Sequence, residues 1–306
     1  MSSSMPPDFA EQDVGGARDA IDQADDQMLA LLAHRLELVR RIVPAKRHHK
    51  LPRYAPGREA TIMRQLAMRR PADLPLGNVL RMWRELLAAT VALEGRMSDR
   101  PEEPFTVAVY ELPGAPAHRD LARDHYGSHV ALHPFASSYQ VIQAVTAPHT
   151  IGILPLPRQG EAEPWWPYLR GEKTPQVIAR LPFGPPGNVH NSPSGVGALV
   201  IGYGAQQATL DAYGQTSPKN DRTLFVVETA EPISSTHLFS AISAAGLTHK
   251  LRVTAEPSTL IEMEGYVPPD DARLARLCEQ LGVGRSRLMY IGGYAEPLPE
   301  SGISGS

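Results

Sequence analysis

The 306-residue chain contains a single cysteine, Cys278. One thiol excludes an intrachain disulfide framework and any cysteine-based zinc site, and it fits a reducing compartment. No charge sign dominates: 30 Lys+Arg stand against 33 Asp+Glu, for a net charge of −3. With no block of five like charges, the chain lacks the electrostatic footprint of a nucleic-acid or anionic-membrane binder. No stretch approaches the roughly 18 apolar residues of a membrane-spanning helix. The opening MSSSMPPDFAEQD has neither a basic n-region nor an apolar h-region, so it does not read as a signal peptide. The expected location is cytoplasmic.

Proline and aromatics are scarce only in the first part of the chain. Residues 1–100 hold 7 of the 29 prolines and 3 of the 19 aromatics, whereas residues 101–193 hold 15 prolines. The charge balance shifts as well, from 16 basic against 13 acidic residues in 1–100 to 14 against 20 beyond. These changes divide the chain, and MSDRPEEP (97–104) reads as the linker. Before it, apolar residues recur at 3–4 spacing from Ile21 through Met28, Leu32, Leu36 and Val39 to Ile42, which predicts a long helix over 16–43. Asp19, Asp22, Asp25 and Asp26 near its start, with Arg35, Arg40 and Arg41 near its end, suit the helix dipole. Pro44 is expected to kink it. Two further helices are predicted over 57–70 and 75–97. A helix of about 28 residues is about 42 Å long, too long to pack alone against two shorter ones. A second copy of the chain is therefore expected to complete the core.

The remainder reads as two α/β segments. Strand-like runs at 106–111, 129–135, 150–156, 176–183 and 197–204 alternate with helical stretches at 117–127 and 137–147, which predicts a largely parallel sheet. Trp165 and Trp166 lie in a proline-rich loop and read as a core plug. Residues 223–295 follow a β-α-β-β-α-β order, the ferredoxin-like pattern. In that segment Gly246 stops the first helix and Asp270 is the expected N-cap of the second. Gly195 and Gly197 precede a strand rather than a helix, so they read as a turn and not as a phosphate loop. His48 and His49 have no companions at metal-ligand spacing and read as a solvated pair.

The helical segment carries a distinctive charged set. Arg35 and Lys46 lie 11 residues apart, an offset of about 20° that puts them on one helix face. Arg18 is turned about 100° away from Arg35. Arg58 and Glu59 open the second helix, and Thr90 and Glu94 share a face of the third. A cation cluster inside a helical bundle is costly unless it binds an anion.

Residues 16–97 resemble the all-helical class of chorismate mutase. The likeness lies in RDAIDQADDQMLALLAHRLELVRRI, Lys46, YAPGREATIMRQL and LRMWRELLAATVALE, and the spacing from Arg18 to Arg35, Lys46, Arg58, Glu59, Thr90 and Glu94 matches that family without a gap. Ala55 stands where the family usually has an acidic residue. The resemblance implies rearrangement of chorismate, a dianion, to prephenate, with no cofactor, metal or nucleophile. It implies that Arg35 grips one carboxylate, that Arg58 and a partner subunit's Arg18 hold the other, and that Lys46 and Glu94 donate to the ether oxygen. Glu59 would orient the substrate hydroxyl, with Thr90 in support. Only a protonated carboxyl can donate, so activity is expected to fall as Glu94 ionises.

Residues 104–222 resemble, in part, a prephenate dehydratase, and 223–298 resemble its ACT regulatory domain. His118 survives from the dehydratase's Gly-Pro-rich start, and Thr223 from its Thr-Arg-Phe motif, where Leu224 replaces the arginine. THLF and TAEPS stand where the ACT phenylalanine-binding motifs would be. The length left between mutase and ACT-like ends suits one lobe of a dehydratase rather than two. The sequence reading is thus a dimeric chorismate mutase (14–98) fused to a truncated dehydratase-like region that has lost its activity. The alternatives are a non-catalytic sensor of chorismate or prephenate and a bifunctional mutase/dehydratase.

Overall fold

The computed structural model describes residues 11–49, 51, 54–97, 104–146, 149–171, 173–185, 196–203 and 221–299. Most of the predicted linker, and Gly195, lie outside these residues. The chain forms two compact units, Met1–Lys50 and Leu51–Ser306.

The described part of the first unit is one helix, α1 (Glu11–His48), with Pro44 inside it. At 38 residues it is about 57 Å long. The kink expected at Pro44 does not end the helix. Proline removes its own N–H, which would have bonded the carbonyl of Arg40, and its ring crowds that carbonyl, but the ladder resumes beyond it: His49 N–H bonds the carbonyl of Ala45 at 3.0 Å. Val14, Ile21, Met28, Leu31, Leu38 and Ile42 are each between 46 and 68% exposed. They occupy alternating a and d heptad positions, an apolar seam interrupted by Arg35 at one a position.

The second unit opens with a helical hairpin, α2 (Pro56–Arg69) and α3 (Leu76–Arg96). Pro56 starts α2, where its missing N–H costs nothing. Ala60, Met63 and Ala67 of α2 meet Leu76, Leu80 and Leu87 of α3, and Phe183 and Leu298 of the α/β body close over them. Polar ties reinforce this seating. Arg64 donates to the carbonyl of Glu296 at 3.0 Å, Arg81 pairs with Asp124 at 3.5 Å, and Glu85 accepts from the Ser128 N–H at 3.2 Å.

The body is a nine-stranded sheet flanked by helices. Its elements in chain order are β1 (Thr106–Tyr110), α4 (Ala117–Tyr126), β2 (Ala131–Phe135), α5 (Ser138–Ala144), β3 (Thr150–Pro155), β4 (Gln176–Leu181), β5 (Ala198–Gly202), β6 (Asp221–Glu228), α6 (Ser235–Ala244), β7 (His249–Ala255), β8 (Ser258–Glu264), α7 (Ala272–Leu281) and β9 (Leu288–Ala295). The strand order is β2-β1-β3-β5-β4-β9-β6-β8-β7. The expectation of a largely parallel sheet is corrected. β1 is parallel to β2 and β3, but β3–β5, β4–β5 and every pairing within β6–β9 are antiparallel. β3 and β4 run in the same direction, and β5 is inserted between them in the opposite one, which makes both of its pairings antiparallel.

The last four strands run β9-β6-β8-β7 with α6 and α7 between them, the ferredoxin-like order read from the sequence. Phe225, Leu238, Ile242, Ile261, Leu274 and Leu277 form the core under these helices. Gly246, at φ +75°, ends α6 as expected. The N-cap of α7 is Asp271 rather than the expected Asp270, and its carboxylate accepts from the Arg273 N–H at 2.9 Å. Trp165 and Trp166 are buried among Leu154, Val177 and Ile201, the plug predicted for them.

β9 joins the two halves of the sheet. It pairs with β6 along its length and meets β4 at Val177 and Gly292. Gly292 has φ +123°, and a Cβ there would lie 2.2 Å from the Val177 carbonyl oxygen. Only glycine permits both that backbone conformation and that approach.

Candidate active site

The predicted site residues fall on both units. Arg18, Arg35 and Lys46 are on α1; Arg58 and Glu59 are in the first turn of α2; Thr90 and Glu94 are on α3. Because α1 is continuous, Arg35 and Lys46 are about 16 Å apart along its axis, and Arg18 and Arg35 about 26 Å. Long side chains on one face can converge over the first distance but not over the second. Arg35 is half-buried, and burial lowers its guanidinium pKa.

Glu94 sits on the buried side of α3. One turn earlier, the Thr90 hydroxyl donates to the Leu86 carbonyl at 2.8 Å. The Glu59 carboxylate bonds the guanidinium of Arg84 on α3 at 2.7 Å, and both side chains are nearly buried. Tyr54, His125 of α4, Arg180 and Phe183 line the same small space of about 10 Å³, enough for no more than one water. The Arg84 guanidinium lies 5.8 Å from the centre of the Phe183 ring, a cation–π distance. The hydroxyls of Tyr54 and Tyr126 are 3.0 Å apart. Burial raises both phenols, and it pushes His125 well below the usual imidazole range, helped by the Arg84 charge.

Arg84 was not among the residues singled out from the sequence. Its signal was available: it stands between Leu80 and Leu87 on the apolar face of α3, where a cation needs a buried partner.

The positions resembling a dehydratase are occupied differently. His118, at the start of α4, packs edge-on against Tyr110, and burial lowers its pKa. The Thr223 hydroxyl donates to the Gly265 carbonyl at 2.8 Å and accepts from the Val267 N–H at 2.9 Å. Leu224 is buried in the sheet core. Next to them, Arg222 is buried between Glu262 and Glu296, at 3.9 and 2.5 Å. Among the described residues no group of His, Cys, Asp or Glu has the arrangement of a metal site, and no helix is long and apolar enough to cross a membrane.

Residues 17–95 match the family model for chorismate mutase type II, so the chain carries a chorismate mutase domain, an isomerase. Among solved structures, it is similar to the prephenate dehydratase of Arthrobacter aurescens in complex with L-Phe (12% identity, 63% of this chain and 92% of that one, TM-score 0.43). It is also similar to the prephenate dehydratase of Staphylococcus aureus subsp. aureus Mu50 (8% identity, 62% and 100%, TM-score 0.35). A third similarity is to GqqA, described as a novel type of quorum quenching acylase (17% identity, 62% and 94%, TM-score 0.39). No curated protein matches the chain.

Proposed function

We propose that this protein is a cytoplasmic, homodimeric chorismate mutase of aromatic amino acid biosynthesis, converting chorismate to prephenate, and that its dehydratase-like region has no dehydratase activity. The observation that carries the reading is the family match over 17–95, within which Arg18, Arg35, Lys46, Arg58, Glu59, Thr90 and Glu94 keep the family spacing. The reaction is a unimolecular rearrangement that breaks an ether C–O bond and builds negative charge on that oxygen. It needs a clamp that holds the dianion in its reactive shape and donors aimed at the developing charge. Arg35 binds one carboxylate; Arg58, with Arg18 of the partner subunit, binds the other. Lys46 and Glu94 donate to the ether oxygen. Glu59 holds the substrate hydroxyl, and Thr90 supports the same end.

Two features support a shared site. Arg18 is too far along α1 to serve the site of its own Arg35, and the apolar seam of α1 suits a second copy. The loss of dehydratase chemistry is supported by Leu224 in the core, where an arginine would hold a carboxylate, and by Thr223, whose hydroxyl is engaged by the fold. Residues 223–298 are assigned as an ACT-like domain on their element and strand order. The test is to incubate the purified protein with chorismate and separate the products. Prephenate alone is expected. Phenylpyruvate at a useful rate refutes the loss of dehydratase activity, and no consumption of chorismate favours the sensor alternative.

A further inference from the structure

We infer that Arg84 is a positioning residue of the mutase, holding Glu59 in place for the substrate, and that the α/β body holds Arg84 in turn. The inference deepens the proposed function and rests on it, through the role given there to Glu59.

The geometry is specific. Glu59 begins α2 and Arg84 lies in the middle of α3, so their 2.7 Å bond fixes one helix against the other at the end that carries Arg58 and Glu59. A carboxylate has lone pairs enough to accept from a guanidinium and from a substrate hydroxyl together. What an orienting carboxylate needs is a fixed rotamer, because misplacement by about 1 Å can cost two orders of magnitude in rate. The pair is built for that. Both side chains are nearly buried, and the space beside them holds no more than one water.

The α/β body supplies the outer wall. The Phe183 ring, just past β4, lies against the Arg84 guanidinium, while His125 and the Tyr54–Tyr126 hydroxyl pair surround it. The imidazole stays neutral there, so it does not repel the guanidinium, and the two phenols stay protonated. The dehydratase-like region thereby acquires a task in a protein that makes no use of dehydratase chemistry: it is the backing against which a mutase side chain is set.

The experiment measures kcat and KM for chorismate with wild type, Arg84→Gln, Arg84→Lys, Glu59→Gln and the Arg84→Gln/Glu59→Gln double variant, with thermal melts alongside. Arg84→Gln should lower kcat/KM about tenfold or more, and Arg84→Lys should recover most of the loss. In the Glu59→Gln background, Arg84→Gln should cost less than about twofold more, because residues that act through one another are not additive. Multiplying losses overturn the inference, as does Lys performing no better than Gln. So does an active wild type indifferent to Glu59→Gln, which leaves the mutase reading standing. A wild type without mutase turnover overturns that reading itself. Should Arg84→Gln not fold, Phe183→Leu carries the test: it should lower kcat/KM in the wild-type background and have little effect once Glu59 is Gln. Equal losses in both backgrounds overturn it.

Discussion

Replacing Asp221 with Asn should stabilise the second unit at pH 7.5 and do little near pH 4. Asp221 begins β6 and is buried, with Arg64 and Arg222 nearby. Burial raises its pKa, the two cations lower it, and burial wins: the carboxyl is pushed from 3.8 up to about 6. An acid whose pKa is raised by folding binds its proton more tightly in the folded than in the unfolded chain. Stability therefore declines as pH rises from about 4 to about 6, and the full penalty applies above 6. A shift of about two units corresponds to about 3 kcal/mol at pH 7.5 and to only a fraction of that near pH 4. Asn keeps the shape and stays neutral, so a gain of about 1–3 kcal/mol is expected at pH 7.5. In a unit of this size that is about 2–10 °C in melting temperature. The assay is urea unfolding followed by tryptophan fluorescence at both pH values, since Trp83, Trp165 and Trp166 all lie in this unit. Equal effects at the two pH values, or destabilisation at pH 7.5, would show that the ionised carboxylate is a net partner of Arg64 and Arg222, and the burial argument would fail.

Four further outcomes are expected. Glu94→Ala should cost on the order of 10²–10³ in kcat, the scale for losing one strong transition-state donor, while Glu94→Gln, which keeps a donor at that position, should retain most of the turnover; equal losses in the two variants refute this role. Lys46→Ala and Arg35→Ala should each cost on the order of 10²–10³ in kcat, the scale for losing one strong transition-state donor, measured as chorismate loss against wild type. Leu31→Asp, in the middle of the α1 seam, should shift the protein from dimer to monomer in sedimentation velocity and take the mutase activity with it; an active monomer contradicts the shared site. Gly292→Ala should destabilise by at least about 1–3 kcal/mol in urea unfolding, because the added carbon meets the Val177 carbonyl; an unchanged midpoint argues against the seam between β4 and β9.

The helices were legible because their signals are local. The 3–4 spacing from Ile21 to Ile42 and the apolar run of α3 need no knowledge of the rest of the chain. The charged residues from Arg18 to Glu94 could be placed on the three helices for the same reason, by spacing. Sheet polarity was not legible. Val177 and Val200 look alike in a parallel or an antiparallel ladder, and what decides it is the insertion of β5 between β3 and β4, a long-range arrangement. The end of α1 was misjudged because one lost hydrogen bond at Pro44 is small against a helix of ten turns. Arg84 was passed over because an arginine on a helix is usually solvated. Its burial follows from the docking of α2 and α3 on the α/β body, a long-range contact that spacing along the chain cannot reveal.

The place of β9 bears on how this protein is made. Ribosomes deliver strands in chain order, and domains tend to fold as they emerge. Among the described strands the last in chain order is a central one: β4 and β6 remain open edges until Leu288–Ala295 arrives between them. Arg64 of α2 also waits for the Glu296 carbonyl just beyond that strand. The sheet can close only once Leu288–Ala295 has been made, so a nascent chain exposes the β4 edge, and after Glu228 the β6 edge as well, until then. A chain that stops after β8 but before Leu288 would leave a sheet in two halves, prone to pairing with other chains.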